Sequence, residues 1–269
     1  QGSVINRMMT TSVNKSWQRA LGQTALNEQK LWSQTPSFCI ILPMFNEETA
    51  AVACIERIAE HLNTIKCPAS IIAVNDGSTD STAQVLELLQ KTTANLIVET
   101  HPQNLGYGAA NRTGFLAAKR EGFVYAIVMD ADGTQEPRFI ERFFEPMRRS
   151  IDFIKASRYI KGSAVVGVTA QRRIVSWIGN IITRIILRLP LTDYTNGFRA
   201  IKTDLACKLI TKERGFSMLV EEVALSKSFK ASFAEIPYVL TARQEEGSQS
   251  KFVYSTQVYK NYLGCLFKR

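Results

Sequence analysis

The chain has 269 residues, a formal net charge of +9, and 45% hydrophobic and 21% charged residues. That suits one large globular domain with extensions and excludes a disordered or fibrous chain. It has two histidines, and its five cysteines form no CxxC pair; these counts exclude a His-rich metal cluster, leave little for a Ser-His hydrolase, and argue against a zinc ribbon or disulfide scaffold and for a reducing compartment.

Residues 1–36 read as a polar leader, partly helical at best, with Gln1-Gly2-Ser3 set aside as resembling a cloning scar. From Ser37 strands and helices alternate. Phe38–Leu42 is a short buried strand ended by Pro43, and Glu47–Ile65 is an amphipathic helix with Val52, Ile55, Ile58, Ala59 and Leu62 inward. Ser70–Val74 is a second strand and Thr79–Gln90 a second helix, followed by a strand at Leu96–Val98, a helix at Gly108–Arg120 and a strand at Val124–Met129. Continuous apolar strands separated by helices predict an α/β fold, a mostly parallel sheet covered on both faces. Such sheets bind ligands at the carboxyl ends of their strands.

No stretch reaches the roughly 18 uncharged apolar residues of a membrane span, and no secretory signal is visible. The most apolar segment, Ile174–Leu189, is broken by Arg184 and Arg188. Ile174, Ile178, Ile181, Ile182, Ile185 and Leu189 recur there at helical spacing, which fits a helix lying in a membrane interface or a core helix equally well. Between Arg148 and Arg188 nine bases face one acid, Asp152. Such a basic field beside apolar sequence points to anionic lipid or phosphate, with a solvated basic face as the plain alternative. Nucleic acid is disfavoured, because Ile and Val rather than stacking aromatics are interleaved.

Polar motifs follow three of the strands. Asn75-Asp76-Gly77-Ser78-Thr79-Asp80 follows the second. Gly77 permits a tight turn, Ser78 or Asp80 can cap the next helix, and Asp76 can accept hydrogen bonds from a base or ribose; a capping turn explains the segment as well as a ligand does. Asp130-Ala131-Asp132 follows the fourth strand. Two carboxylates one residue apart at the end of a buried strand are costly unless a positive group sits between them, and a hard divalent ion shared with a diphosphate meets that need. His61 and His101 read as surface or helix-end residues, and the cysteines as core or incidental.

In combination, Pro43-Met44-Phe45-Asn46-Glu47-Glu48, Asn75–Asp80, Asn104-Leu105-Gly106-Tyr107-Gly108-Ala109-Ala110 and Asp130-Ala131-Asp132 resemble the GT-A nucleotide-sugar glycosyltransferases of family 2. Asn196-Gly197-Phe198-Arg199 and Arg243 with Gly247 and Ser250-Lys251 narrow the likeness to polyprenyl-phosphate hexosyltransferases of the dolichol-phosphate mannose synthase group. The resemblance implies a Rossmann-like domain over 37–251 with an amphipathic interface helix at 171–189, followed by an amphipathic segment at 252–269. It also implies that Pro43, Phe45, Glu47, Asp76 and Asp130 hold the donor. Asp130 and Asp132 would hold Mg²⁺ or Mn²⁺, and Arg158, Arg172, Ser176 and Arg243 the acceptor phosphate; Asp130, Asp132 and the three arginines would carry the catalysis. There are departures: Thr134, followed by Gln135, stands where the family often has a glutamine, Asn75 replaces an aspartate, Asn196 replaces a serine, and the segment after Arg243 is one residue longer.

The implied reaction is attack of a polyprenyl or dolichyl phosphate oxygen on the anomeric carbon of a nucleotide sugar, with inversion, at the cytosolic face of a membrane. A phosphate nucleophile is already anionic, so little histidine is needed. Two other readings remain open at this level: a family 2 transferase with a non-lipid acceptor, and a catalytically degenerate regulator that binds nucleotide sugar or membrane.

Overall fold

A computed structural model of the chain describes residues 34–241 together with 261, 262 and 264–266. The expected leader over 1–36, apart from its last three residues, lies outside the described residues, as do Arg243, Gly247, Ser250, Lys251 and most of 252–269.

The strands are short and almost wholly apolar. β1 (Phe38–Met44), β2 (Ser70–Asn75), β3 (Leu96–Thr100) and β4 (Tyr125–Val128) are parallel, in the order β3-β2-β1-β4. Helices α1 (Ala50–Thr64), α2 (Thr82–Thr92) and α3 (Tyr107–Arg120) connect them. Cys39–Leu42, Ile71–Val74 and Tyr125–Val128 are buried, as continuous apolar strands must be when helices cover both faces. The chain winds outward one way through β1, β2 and β3 and returns to place β4 on the other side of β1. The carboxyl ends of β1 and β4 therefore flank the point where the winding direction changes, and a crevice opens there.

The second half departs from simple alternation. After β4 come a 3-10 helix (Pro137–Phe143), α4 (Phe144–Arg148), β5 (Phe153–Ser157), the short β6 (Ala164–Val165) and the long α5 (Ala170–Leu187). β7 (Arg199–Lys202), α6 (Thr203–Ala206), α7 (Met218–Ser228), β8 (Phe233–Pro237) and β9 (Val239–Leu240) complete the described chain. β7 enters the sheet between β4 and β5, antiparallel to both, and β8 pairs parallel with β5 at the edge. β6 and β9 form a separate two-stranded pair. The mostly parallel sheet is as expected; the antiparallel insertion was not foreseen, because a four-residue strand carries no distinctive periodicity.

α5 is built with its polarity reversed. Asn180 and Thr183 are buried, and Asn180 accepts a hydrogen bond from Tyr194 N at 2.7 Å. The outward face carries Ile174 (56% exposed), Trp177 (53%), Ile178 and Ile182, with Ile185 at 67%. A core helix would show the opposite arrangement. Leu189, counted in the stripe from its spacing, instead packs partly buried against the core.

One member of the basic run is likewise inside. Lys155 on β5 is fully buried, and its Nζ donates to the carbonyls of Asn196 at 2.5 Å and Tyr194 at 3.3 Å. It contributes no surface field. Burial draws its pKa down from 10.5 to about 7, with nearby Asp193 opposing the shift. A lysine whose folded pKa lies below its unfolded value penalises the folded state fully below pH 7. As pH rises from 7 towards the unfolded value, the unfolded chain binds more protons and folding stability increases. Urea unfolding at pH 7.0 and 8.5 is expected to show this gain, on the order of 1 kcal/mol. Lys155→Met should lose it.

Candidate active site

Two loops are tied to each other before any ligand is considered. Asn46, at φ 52°, donates its N–H to Ser78 Oγ at 3.0 Å and accepts from Thr79 N at 2.9 Å through its side-chain oxygen. Glu47 N donates to Thr82 Oγ1 at 2.9 Å, Glu48 N to Asp80 Oδ2 at 3.2 Å, and Ser81 N to Glu48 Oε2 at 2.9 Å. Asp80 also accepts from Thr82 N at 3.0 Å, so of the two candidate caps it is Asp80 that meets the start of α2. Asn75 accepts from Ser78 N at 3.1 Å, so its neutral amide makes the turn bond that a charged aspartate would make there. These bonds fix the backbone that presents Phe45 and Glu47.

Asp76 is buried, and each carboxylate oxygen receives a backbone amide: Leu105 N to Oδ1 at 2.9 Å and Gly106 N to Oδ2 at 2.8 Å. His101 Nδ1 lies 2.7 Å from Oδ1. His101 is therefore neither a surface nor a helix-end residue, and the reading of it as such is corrected. Its only sequence signal was its place just after an apolar strand. Gly106 opens α3 at φ 98°, where a side chain would be strained, and a Cβ there would stand 2.7 Å from the carbonyl oxygen of Arg214.

Asp130 is held from three sides. Tyr107 Oη donates to Oδ1 at 3.3 Å and Gln135 Nε2 donates to Oδ2 at 2.7 Å, while Asp130 N donates to Gln135 Oε1 at 3.0 Å. Burial, then the charge of Asp130, pushes the Tyr107 phenol well above its ordinary range, so it stays protonated as a donor. Thr134 serves the second carboxylate: its N–H and hydroxyl lie 3.1 and 2.7 Å from Asp132 Oδ1. The third side is Gly197, where a Cβ would meet the two Asp130 oxygens at 3.1 and 3.2 Å and Tyr107 Oη at 3.2 Å.

Gly197 is placed by the residues around it. Arg199, wholly buried, donates to the Gly197 carbonyl at 2.8 Å and to Asn111 Oδ1 at 3.0 Å and is paired with Glu222. Asn196 donates to Ala156 O at 2.7 Å. The Asn196–Arg199 element thus buttresses Asp130.

Pro43, Phe45, Glu47, Asp76, Asp130 and Asp132, all singled out from the sequence, line one cleft of about 880 Å³. Its far wall is the segment Lys212–Ser217, which the sequence reading did not single out. That wall is braced, since Lys212 N and Glu213 N both donate to Glu221 Oε2 at 2.9 Å and Gly108 N to Arg214 O at 2.9 Å.

A second cluster lies at the end of β5. Arg158 Nε and Nη2 grip Asp193 at 2.7 and 2.8 Å, and Nη2 also reaches Thr195 Oγ1 at 2.8 Å and Ser176 Oγ at 3.3 Å. Tyr159 Oη donates to Ser176 Oγ at 2.9 Å. Asp193 is fully buried; burial alone would raise its pKa, but the Arg158 guanidinium outweighs this and holds it below the usual carboxylate range. Asp193 was missed because its partner lies 35 residues away in the chain. Arg158 and Ser176 are brought together as expected, with most of the Arg158 charge matched by Asp193. Arg172 lies one turn earlier on α5; its side chain, like Arg243, is outside the described atoms. Buried Tyr238 links the two clusters, donating its N–H to Ser157 O at 3.2 Å and its hydroxyl to Thr134 O at 3.0 Å.

A cleft at the switch point of such a sheet, with two carboxylates at the end of β4, is the arrangement of a GT-A glycosyltransferase. Residues 39–209 match the profile of Glycosyl transferase family 2, and the chain belongs to that family. It is 25% identical over 207 residues to the undecaprenyl-phosphate mannosyltransferase of Micrococcus luteus, across 76% of this chain and 83% of that protein. It is 26% identical over 212 residues to the polyprenol monophosphomannose synthase of Mycolicibacterium smegmatis, across 76% and 77%. The fold is shared with glucosyl-3-phosphoglycerate synthase of Mycobacterium tuberculosis, crystallised with Mn²⁺, UDP and phosphoglyceric acid, at a TM-score of 0.65 and 16% identity over 89% of this chain and 82% of that one. The same enzyme with Mg²⁺ and UDP superposes at 0.59, with 16% identity over 82% and 76%.

The Gly197 contact yields a test. Gly197→Ala must displace the Asp130 carboxylate by a few tenths of an ångström. Glycosyl transfer should fall about tenfold or more, since positioning errors of this kind act on the reacting geometry. The melting temperature should change little.

Proposed function

We propose that the chain transfers a hexose from a nucleotide sugar to a polyprenyl phosphate at a membrane surface. One observation carries the acceptor part of this reading: α5 turns its isoleucines and Trp177 outward while its inner face sets Ser176 against Arg158. A polar, cation-bearing site at the root of an outward apolar face suits a ligand that is a phosphate at one end and a hydrocarbon at the other. The two bacterial relatives support it, being a mannosyltransferase for undecaprenyl phosphate and a polyprenol monophosphomannose synthase by name. No helix among the described residues is long and apolar enough to cross a membrane, so α5 would lie in the interface.

The donor would occupy the cleft, its nucleoside beside Phe45, Glu47 and Asp76 and its diphosphate towards Asp130 and Asp132. The two aspartates offer hard oxygen ligands that fit Mg²⁺ or Mn²⁺. Among the described residues no group of three or more His, Cys, Asp or Glu gathers to hold a metal by itself, which suits an ion completed by diphosphate oxygens and water. Such an ion supplies neutralisation of the leaving diphosphate. The protein's own part is positional. Tyr107 and Gln135 hold Asp130 in one orientation, and Arg158 with Ser176 would place the acceptor phosphate. Arg172 and Arg243 would complete that set. The nucleophile is already anionic, so positioning and charge complementarity are the levers, and inversion follows from in-line attack.

A panel of GDP- and UDP-hexoses with a short polyprenyl phosphate tests this. Transfer to the lipid from one donor is expected, with activity lost in EDTA and restored by Mn²⁺ or Mg²⁺. Transfer to phosphoglycerate alone would instead place the chain with its structural neighbour's reaction. The interface assignment has its own check. Sedimentation with anionic vesicles should be strong for the native chain and weakened at least several-fold by Ile178→Glu with Ile182→Glu, with melting unchanged.

A further inference from the structure

We infer that His101 is a positioning residue of the donor cleft, acting through Asp76 on the start of α3 and so on Asp130. This deepens the reading of the cleft as the donor site and rests on it. The imidazole is nearly buried and bonded at both nitrogens, Nδ1 to Asp76 Oδ1 at 2.7 Å and Nε2 to Thr113 Oγ1 at 2.8 Å, while the backbone N–H of His101 donates to Asn75 O at 2.9 Å. The arrangement is satisfied when Nδ1–H donates to the carboxylate and the threonine hydroxyl donates to Nε2. The ring is thereby fixed between β3's end and the middle of α3.

Asp76 is in turn the anchor for the chain that walls the cleft. Its two oxygens take the amides of Leu105 and Gly106 at 2.9 and 2.8 Å, which fixes where α3 begins. The first residue of α3 is Tyr107, whose hydroxyl donates to Asp130. Asp76, Gly106, Tyr107 and Asp130 all line the cleft. The two amides hold one oxygen each, and the imidazole adds a third donor at Oδ1, so Oδ2 keeps the lone pair left for a nucleoside and the orientation that presents it is reinforced from the β3 side. A histidine present merely to fill space would not need to bridge a carboxylate and a hydroxyl. Removing the imidazole is therefore expected to loosen the donor site before it touches the acceptor site.

The experiment is calorimetric titration of GDP and UDP with Mn²⁺ into the full chain and its His101→Leu, His101→Asn and Thr113→Val variants, with melting temperatures and transfer kinetics alongside. The native chain should bind one nucleotide. His101→Leu should bind it at least tenfold more weakly and raise the donor KM to match, with the acceptor KM within twofold. His101→Asn, whose amide can stand where Nδ1 stood, should recover most of the loss, and Thr113→Val should cost a few-fold. Binding by His101→Leu within twofold of native overturns the inference. So does an asparagine variant no better than leucine, or donor and acceptor KM rising together. If His101→Leu does not fold, the other two decide: affinity a few-fold below native with native melting in either supports it, and native affinity in both overturns it. A native chain that binds neither nucleotide overturns the donor reading and this inference with it.

Discussion

The site depends on the bare backbone of Gly197 standing against the Asp130 carboxylate. A Cβ would come within 3.1 Å of it, so the acid at the end of β4 can hold its place only because the loop leading into β7 presents no side chain there. Everything nearby serves that approach. Arg199 draws the Gly197 carbonyl inward and is itself neutralised by Glu222. Lys155 and Ala156 hold Asn196 from the neighbouring strand. Buried charges of this kind cost free energy unless paired and hydrogen-bonded. Arg199 is so satisfied by Glu222, Lys155 keeps part of that cost, and what they secure is the position of one carboxylate.

The same logic governs the Arg158 cluster with the signs reversed. Asp193 gathers the Arg158 guanidinium and, at 3.3 and 3.1 Å, the backbone amides of Thr195 and Asn196. It thus shapes the loop that leads into Gly197 while orienting the cation at the root of α5. Tyr238 spans the gap to the Asp132 loop through Thr134. The two reaction partners would therefore be positioned by one continuous polar framework rather than by independent sites, which is what a reaction driven by alignment requires.

Much of this was legible in the chain. Short apolar strands announced the sheet, the rule that ligands gather at strand ends pointed to Asp76, Asp130 and Asp132, and the family resemblance added Phe45 and Glu47; all five share a cleft. What stayed hidden was whatever needs a distant partner. Lys155 reads as one more surface base until two carbonyls from across the fold enclose it. Asp193 and His101 belong to no local pattern; one is defined by Arg158, the other by Asp76. The isoleucines of α5 showed a stripe by their spacing, but spacing gives the width of a face and not the side on which the protein lies. That came only from Asn180 and Thr183 being buried with Leu187 while Ile174, Ile178, Ile182 and Ile185 stand exposed.

The antiparallel strand β7 also bears on how the chain reaches this state. β1, β2 and β3 pair with near neighbours in sequence, each closing a single strand–helix–strand unit. The pairing of Tyr125 with Lys202 must wait for the whole of β5, α5 and the intervening loops. The pairing of Phe38 with Tyr125 spans even more of the chain. Asp130 and Gly197 are therefore brought together by two long-range strand pairings, of the kind whose loop closure slows folding relative to a chain of strand–helix–strand units alone. The carboxylate end of β4 and the glycine that faces it are set by the whole fold and by no local segment of it.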